Sequence, residues 1–522
     1  MNRKKSNRAL FLNLHLLAIV LVGVSLATGL RISLLKYAHF DFLSALLPQG
    51  QMHTVHYYSG LMLGVLCLSY VFYRKRFTHK TTDNKYHRIV NYLGYAVVVA
   101  CTVTGLLRWL DWATNWVALA HYFFALTFIV FLFLHSYVYF LSLGKKLIGK
   151  LFQIKALKKQ KLFLGCFVIF ACFAIWVFEQ YKSTDYKVVA LKNSAFIAID
   201  GKDDEAFWRQ VQWHEINTYG GANFNNGHTP VKVKVASNDV ESYFLFRWQD
   251  ETKSLTHLPL VKINQQWQVK QQGFHTFNET RYYEDKFAVL LSQSCDHGGD
   301  GTAHLGKSPI EGKPANWHGK GYHGALDGRV RDLWHWKALR TNDMVQMDDN
   351  VIAAPRSAKS GDRRYTAGYF ADGKESGAYV MNWLWYGKDK VTPKRLPLPE
   401  YQQMYQGADK DLEQAVMPWF SSTPYAALLD AYPEGTLLSS VLYRSNRFEG
   451  DRGDVTAKGH WQDGFWTLEV ARRNHTGSEF DVALEQGVCL WVAAFDHAQI
   501  AHTRHQRPLK LDYSALSQKG KL

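Results

Sequence analysis

Five apolar stretches crowd the first third of the chain, at residues 9–30, 53–73, 89–110, 116–141 and 162–178. A bilayer core takes about 20 helical residues to cross, and all five read as long and apolar enough to do so, the last being the shortest. Lipid offers the backbone no hydrogen-bond partners, so these stretches must be helices that satisfy their own amides. Beyond residue 180 the sequence is water-soluble in character. A membrane domain followed by a soluble one is therefore expected, and a single small module is excluded.

The formal charge of +16 suggests nucleic acid until it is counted by region. Residues 1–161 hold 20 Lys and Arg against 3 acids, whereas residues 162–522 hold 41 against 42. The excess thus belongs to the loops between apolar stretches, and no nucleic-acid partner is expected. Basic residues are retained on the cytoplasmic side. They gather at Arg3, Lys4, Lys5 and Arg8, in the loop 74–88 and in the loop 143–161, while the alternate loops carry only Arg31, Lys36 and Arg108. The expected topology is a bacterial inner-membrane protein with a cytoplasmic N-terminus, five crossings and a periplasmic C-terminal domain. Trp109, Trp112 and Trp116 then form an aromatic belt at the outer interface. The first stretch has a basic lead but is long for a signal peptide and lacks a following A-x-A site, so it reads as a retained span.

The six cysteines form no CxxC pair and no CxxCH, which argues against covalent c-type haem, zinc and iron–sulfur clusters. Cys67, Cys101, Cys166 and Cys172 lie in apolar segments. Cys295 and Cys489 are left as a possible disulfide in an oxidising compartment, their pairing open.

After a tether at 181–194, residues 195–515 read as short β-rich runs separated by Gly, Asp, Asn and Pro, as in a β-sandwich. The runs include 231–237, 243–249, 287–292, 461–472 and 488–495. Long loops at 295–331 and 388–433 are the natural places for a ligand.

Histidines in the apolar segments are the sharpest chemical signal, because an ionisable side chain in lipid needs a partner or a ligand. His15 lies toward the inner end of the first stretch, His53 and His56 open the second at the outer side, and His121 and His135 share the fourth. The last two are 14 residues apart, close to four turns, which puts them on one helix face about 21 Å apart. The depth of His121 matches His53 and His56, and that of His135 matches His15. Each level therefore offers histidines from two helices, as bis-His ligation of a haem iron requires. Interhelical hydrogen bonding or binding of a transported metal is the plainer alternative. A ferric-reductase-like arrangement needs two widely spaced histidines on each of two helices, which the first and second stretches lack.

Residues 8–141 resemble the di-haem four-helix cytochrome b subunits of formate dehydrogenase and nickel–iron hydrogenase. That resemblance implies His15 and His135 on an inner haem, and His121 with His56 or His53 on an outer one. Gly60, one turn beyond His56, leaves room for a macrocycle and favours His56. The resemblance implies an α-helical transmembrane bundle, a four-helix cytochrome b plus a fifth anchoring helix over residues 1–180, followed by the all-β sandwich.

The soluble part carries a second resemblance. Ile199-Asp200-Gly201 with Asp204 and Trp208, Tyr283-Glu284-Asp285-Lys286-Phe287, His304-Leu305-Gly306, the run from Asp332 to Lys337 (DLWHWK), and Asp463-Gly464 with Trp466 and Arg472 are similar to the haem-binding domain of the ethylbenzene dehydrogenase gamma-subunit family. That family implies a β-sandwich holding one noncovalent haem b between loops, with a Met and a Lys as axial ligands. Here the closing segment from Ala501 to His505 holds His502 and His505 where the Lys belongs. Candidates opposite it are His304, His323 and His335, with Lys337 and Met381 behind them. The IDG…W opening also occurs in sugar-binding sandwiches, so a membrane-anchored extracytoplasmic ligand- or carbohydrate-binding module is the alternative.

The expected function is that of a b-type cytochrome, with two membrane haems and one in the soluble domain. It would pass electrons between the quinone pool and a periplasmic acceptor or oxidoreductase subunits. No hydrolase motif, P-loop or dinucleotide fingerprint is apparent, and no catalytic residue is assigned.

Overall fold

The computed structural model describes residues 3–34, 38–43, 46–48, 50–76, 85–112, 115–145, 161–193, 197–271, 279–300, 302–304, 323–356, 368–371, 377–385, 390–402, 406–407 and 416–519. The centres of both basic loops, most of 295–331 and parts of 388–433 lie outside the described residues. The chain forms two compact units, Met1–Ser183 with Asp296–Gly301, and Thr184–Cys295 with Thr302–Leu522.

The first unit is helical: α1 (Arg3–Ser33), α2 (Met52–Arg76), α3 (Lys85–Trp109), α4 (Asn115–Leu143) and α5 (Lys161–Gln180). Four of these are long and apolar enough to cross a membrane, namely Leu10–Ser33, Met52–Tyr73, Lys85–Trp109 and Trp116–Leu141. The apolar part of α5, Gly165–Gln180, is shorter. Large apolar side chains such as Phe72, Phe133 and Ile169 stand exposed. Helices that are apolar all round need lipid to cover them. Within the bundle α1 packs on α2 and α3 on α4. Leu10, Leu14, Leu66 and Tyr73 are buried together where the first pair meets.

The second unit is all β. Its principal strands are β1 (Thr184–Lys187), β2 (His214–Tyr219), β3 (His228–Ser237), β4 (Glu241–Gln249), β5 (Lys286–Ser292), β6 (Arg331–Lys337), β7 (Asp348–Ile352), β8 (Tyr369–Ala371), β9 (Thr456–Gln462), β10 (Phe465–Arg473), β11 (Cys489–Phe495) and β12 (Leu509–Asp512). One seven-stranded sheet runs β1-β12-β11-β5-β6-β7-β8. A six-stranded sheet joins Val189–Ala190 to β3-β4-β10-β9, with β2 also paired to β3. A further six-stranded sheet is built on the hairpin of Leu260–Ile263 and Gln266–Val269.

The sandwich core follows from strand alternation. Phe244, Phe246 and Trp248 of β4 face Phe287, Trp334 and Trp336 of the opposite sheet, joined by Trp466, Leu468 and Val470 of β10. The rings of Trp248 and Phe287 lie 4.6 Å apart, and those of Trp336 and Trp466 4.9 Å. Each large side chain buried this way contributes about 1.5–3 kcal/mol.

The IDG…W opening closes the far side of the six-stranded sheet. Trp208 is fully buried. The Glu469 carboxylate on β10 accepts the Trp208 indole N–H at 3.0 Å, the Asp200 N–H at 3.0 Å and the Gly201 N–H at 3.4 Å. Gly201 is required here, because it has φ +85° and a Cβ would meet the Lys458 carbonyl at 2.9 Å.

Cys295 and Cys489 form a disulfide with Cα atoms 5.3 Å apart, across 194 positions of sequence. It pins the chain, where it leaves β5, to β11. Replacing Cys489 by Ser should cost about 2–5 kcal/mol of sandwich stability. Denaturant unfolding would show a lowered midpoint, reproduced by adding reductant to the wild type; an unchanged midpoint would refute the contribution.

Burial pushes the Glu469 carboxyl up to about 7 against the Trp208 N–H that opposes it. An acid whose folded value is raised binds its proton more tightly in the folded state. Its contribution to stability is complete below about pH 4.5 and is lost as the pH climbs through 7. Glu469→Gln should therefore flatten this part of the stability profile. Unfolding midpoints measured at pH 5 and pH 8 test this, and an equal pH dependence in both proteins would disprove it.

Candidate functional site

The bundle brings two pairs of imidazoles together, one tilted and one edge-on. The rings of His15 on α1 and His135 on α4 have centroids 6.1 Å apart. Those of His56 on α2 and His121 on α4 are also 6.1 Å apart, with their planes at 88°. The shared helix α4 separates the two pairs by about four turns. Two metal–imidazole bonds of about 2 Å each, with the ring radii, span about this separation.

The surroundings of the His56–His121 pair engage Nδ1 on both rings. Nδ1 of His56 lies 3.1 Å from the Ser25 carbonyl and 3.1 Å from Thr28 Oγ1. Nδ1 of His121 lies 2.8 Å from Thr104 Oγ1. Both threonines donate their own hydroxyl protons back along the helix, Thr28 to the Val24 carbonyl and Thr104 to the Ala100 carbonyl, each at 2.7 Å. Their oxygens are thus acceptors, Nδ1 carries the proton on both rings, and the Nε2 lone pairs are left for a metal. A Cβ on Gly29 would meet His56 Cε1 at 3.0 Å. Gly60 has nothing within 4 Å of such a Cβ. His53 packs its ring against Gly298 of the segment that clusters with the helices. His15 stacks on Phe11, and His135 lies against Phe131 and Tyr139.

In the sandwich, the seven-stranded sheet offers a second constellation on its face away from the core. Register places Lys337, Lys286 and Phe495 side by side across β6, β5 and β11, and His335, Ala288 and Ala493 two residues further along. The two alanines leave a floor without long side chains beside His335. The His335 ring lies 5.5 Å from Phe495, and Phe495 lies 4.9 Å from His502. Among the described residues the buried His335 Nε2 has no hydrogen-bond partner. Burial, then the charges of Lys337 and Lys286, hold the His335 imidazole well below its ordinary pKa, so it is neutral and its lone pair is available. Lys286 is buried with its ammonium 4.0 Å from the centre of the Phe495 ring, donating to the Gln499 carbonyl at 2.7 Å. Burial, then the Arg340 charge, push the Lys286 amine well below its usual range.

The other candidates fall elsewhere. His505 is buried with both nitrogens engaged: Nε2 accepts the Val492 N–H at 3.0 Å and Nδ1 donates to the Arg507 carbonyl at 2.7 Å. His502 Nδ1 donates to the Thr503 carbonyl at 2.6 Å. The backbones of His304 and His323 stand opposite each other in a short antiparallel ladder, their side chains outside the described residues. Lys337 pairs with Asp348 and donates to the Tyr379 hydroxyl at 3.1 Å. Met381 packs against a cluster formed by Leu339, Val441 and Phe448.

Among the described residues, two groups of ionisable side chains have donor atoms within 4.8 Å of one another: Asp285, Asp496 and His497, and Asp349, Asp454 and Asp481. Both are knitted into the fold. Asp285 accepts N–H bonds from Ser254, His497 and Trp466, and the buried Arg472 pairs with Asp332 and Asp481 beside the second group.

Sequence reasoning missed Ser25, Thr28 and Thr104, although a signal was present: Thr-Gly-Leu occurs at 28–30 and again at 104–106. It missed Lys286 and Phe495 as part of a site, because their pairing with His335 is a matter of register.

Residues 205–507 match the sequence model of the family described as ethylbenzene dehydrogenase. No curated protein matches the chain. Among solved structures, a family 9 carbohydrate-binding module from Caldicellulosiruptor kristjanssonii in complex with glucose is 9% identical, with 63% of this chain and 96% of that one covered and a TM-score of 0.23. A putative carbohydrate-binding protein from Bacteroides uniformis is 8% identical, with 63% and 99% covered and a TM-score of 0.22. Likenesses at these scores carry no argument about fold or ligand.

Proposed function

Because the chain belongs to the ethylbenzene dehydrogenase family across residues 205–507, we propose that it is a membrane-anchored b-type cytochrome. It carries electrons between membrane quinone and an acceptor or oxidoreductase subunit in the periplasm. The observation that supports this reading best is the close approach of two imidazole couples, His15 with His135 and His56 with His121. Two couples one above the other on α4 give an electron two stations across the apolar layer. Haem supplies one-electron chemistry when bound; the chain's own residues orient the imidazoles, exclude water and set the site's polarity.

A third haem in the sandwich would lie on the alanine floor of β5 and β11, with His335 as its nitrogen ligand and His502 or the Lys286 side chain from the side of Phe495. The short side chains at Ala288 and Ala493 and the unengaged, buried Nε2 of His335 support this placement. His505 is left to hold β11, since both its nitrogens are spent on backbone. The loop charges support a cytoplasmic N-terminus and a sandwich outside the cytoplasm. The Cys295–Cys489 disulfide agrees with an oxidising compartment.

The purified full-length protein in detergent should hold three b haems per chain, all extractable by acid–acetone. His121→Ala and His135→Ala should each lose one, and His335→Ala should lose the third while the sandwich stays folded by circular dichroism. A colourless wild type would refute the cytochrome reading; two haems with His335→Ala unchanged would remove haem from the sandwich.

A further inference from the structure

The two imidazole couples are not built alike. Each ring of the His56–His121 couple has its Nδ1 held by a Thr-Gly pair on the neighbouring antiparallel helix. Thr28 and Gly29 of α1 serve His56, and Thr104 and Gly105 of α3 serve His121. Among the described residues, neither ring of the His15–His135 couple has a hydrogen bond; aromatic rings surround them instead. The same device has thus been placed twice at one end of the bundle and not at the other.

The chemistry of the device follows from three features. A threonine inside a helix can return its hydroxyl proton to the carbonyl four residues back, as Thr28 does to Val24 and Thr104 to Ala100. The oxygen is then an acceptor for the imidazole Nδ1–H, which fixes the tautomer and leaves the Nε2 lone pair for a ligand. The glycine that follows removes the side chain that would collide with the imidazole. An added Cβ would stand 3.0 Å from His56 at position 29 and 3.5 Å from His121 at position 105. His56 has a second acceptor, the Ser25 carbonyl, and Ser25 is itself tied to Ser59 on α2 at 2.8 Å. A ligand imidazole whose Nδ1–H is strongly accepted becomes more basic, which favours the oxidised metal.

We propose that Thr28 and Thr104 are positioning residues that lower the reduction potential of the His56–His121 haem specifically, leaving the His15–His135 haem without such tuning. This rests on the bis-His haem reading given above. The protein thereby separates two chemically similar stations by outer hydrogen bonds rather than by a change of axial ligand.

The test is a redox titration of the full-length protein in detergent, followed by its visible and low-spin ferric EPR signals. Wild type must first show two membrane b haems; without them the underlying cytochrome reading fails, whatever the threonines do. Thr28→Val and Thr104→Val should each raise the same single wave, by about tenfold in the reduction equilibrium or about 59 mV for one electron, with a shift in that haem's EPR signal alone. Thr28→Ser and Thr104→Ser, which keep the hydroxyl, should restore the wild-type potential. Thr102→Val, an exposed neighbour that bonds only its own helix at Val98, should move neither wave. If a Val variant loses the haem while its Ser counterpart keeps it at the wild-type potential, the positioning role stands. Val variants with both waves unmoved, a shift confined to the His15–His135 wave, or equal loss of haem in the Val and Ser variants would overturn it.

Discussion

An imidazole set among apolar helices has two nitrogens and few places to spend them, and the helical unit is arranged around that constraint. One nitrogen of His56 and one of His121 are spent on helix neighbours that have committed their own protons elsewhere. What is left on each ring is the Nε2 lone pair, with the two ring centroids 6.1 Å apart. The pair thus keeps two Nε2 atoms that none of these hydrogen bonds uses. The close approach of helices that this requires is met by small residues, with Gly29 against His56 and Gly105 against His121.

The sandwich solves a different problem with the strict alternation of strands. On β5, β6 and β11 the residues that point inward, Phe287, Val289, Trp334, Trp336, Val492 and Ala494, build the dry core. The residues between them must then lie on the opposite face, and there the sheet carries His335, Lys286, Lys337 and Phe495 around two alanines. Burying amines and an imidazole on a sheet face costs free energy unless each finds a partner. Lys337 has Asp348, and Lys286 has the Gln499 carbonyl and two aromatic rings. Among the described residues His335 Nε2 has none.

Much of this organisation was legible in the residues. Length and apolarity set out the membrane helices, and period-two alternation set out strands near 231–237, 243–249 and 488–495. The 14-residue spacing of His121 and His135 fixed a common helix face before any coordinates. The motif at Asp200, Gly201 and Trp208 was equally visible, but its meaning was not. Its indole and amides turn out to converge on Glu469, 261 residues beyond Trp208, and nothing local to either segment signals that partnership.

The sequence by itself determined the two-part architecture, the number of long apolar helices and the set of histidines from which any site must be drawn, because these depend on composition and on the fixed periods of helix and strand. Only the tertiary structure decided which histidines meet. It set His56 rather than His53 opposite His121, engaged both nitrogens of His505, left Nε2 of His335 without a partner, and joined Cys295 to Cys489. The physical reason is that a nitrogen's availability is set by what packs within about 3 Å of it, and those neighbours come from segments far apart in the chain.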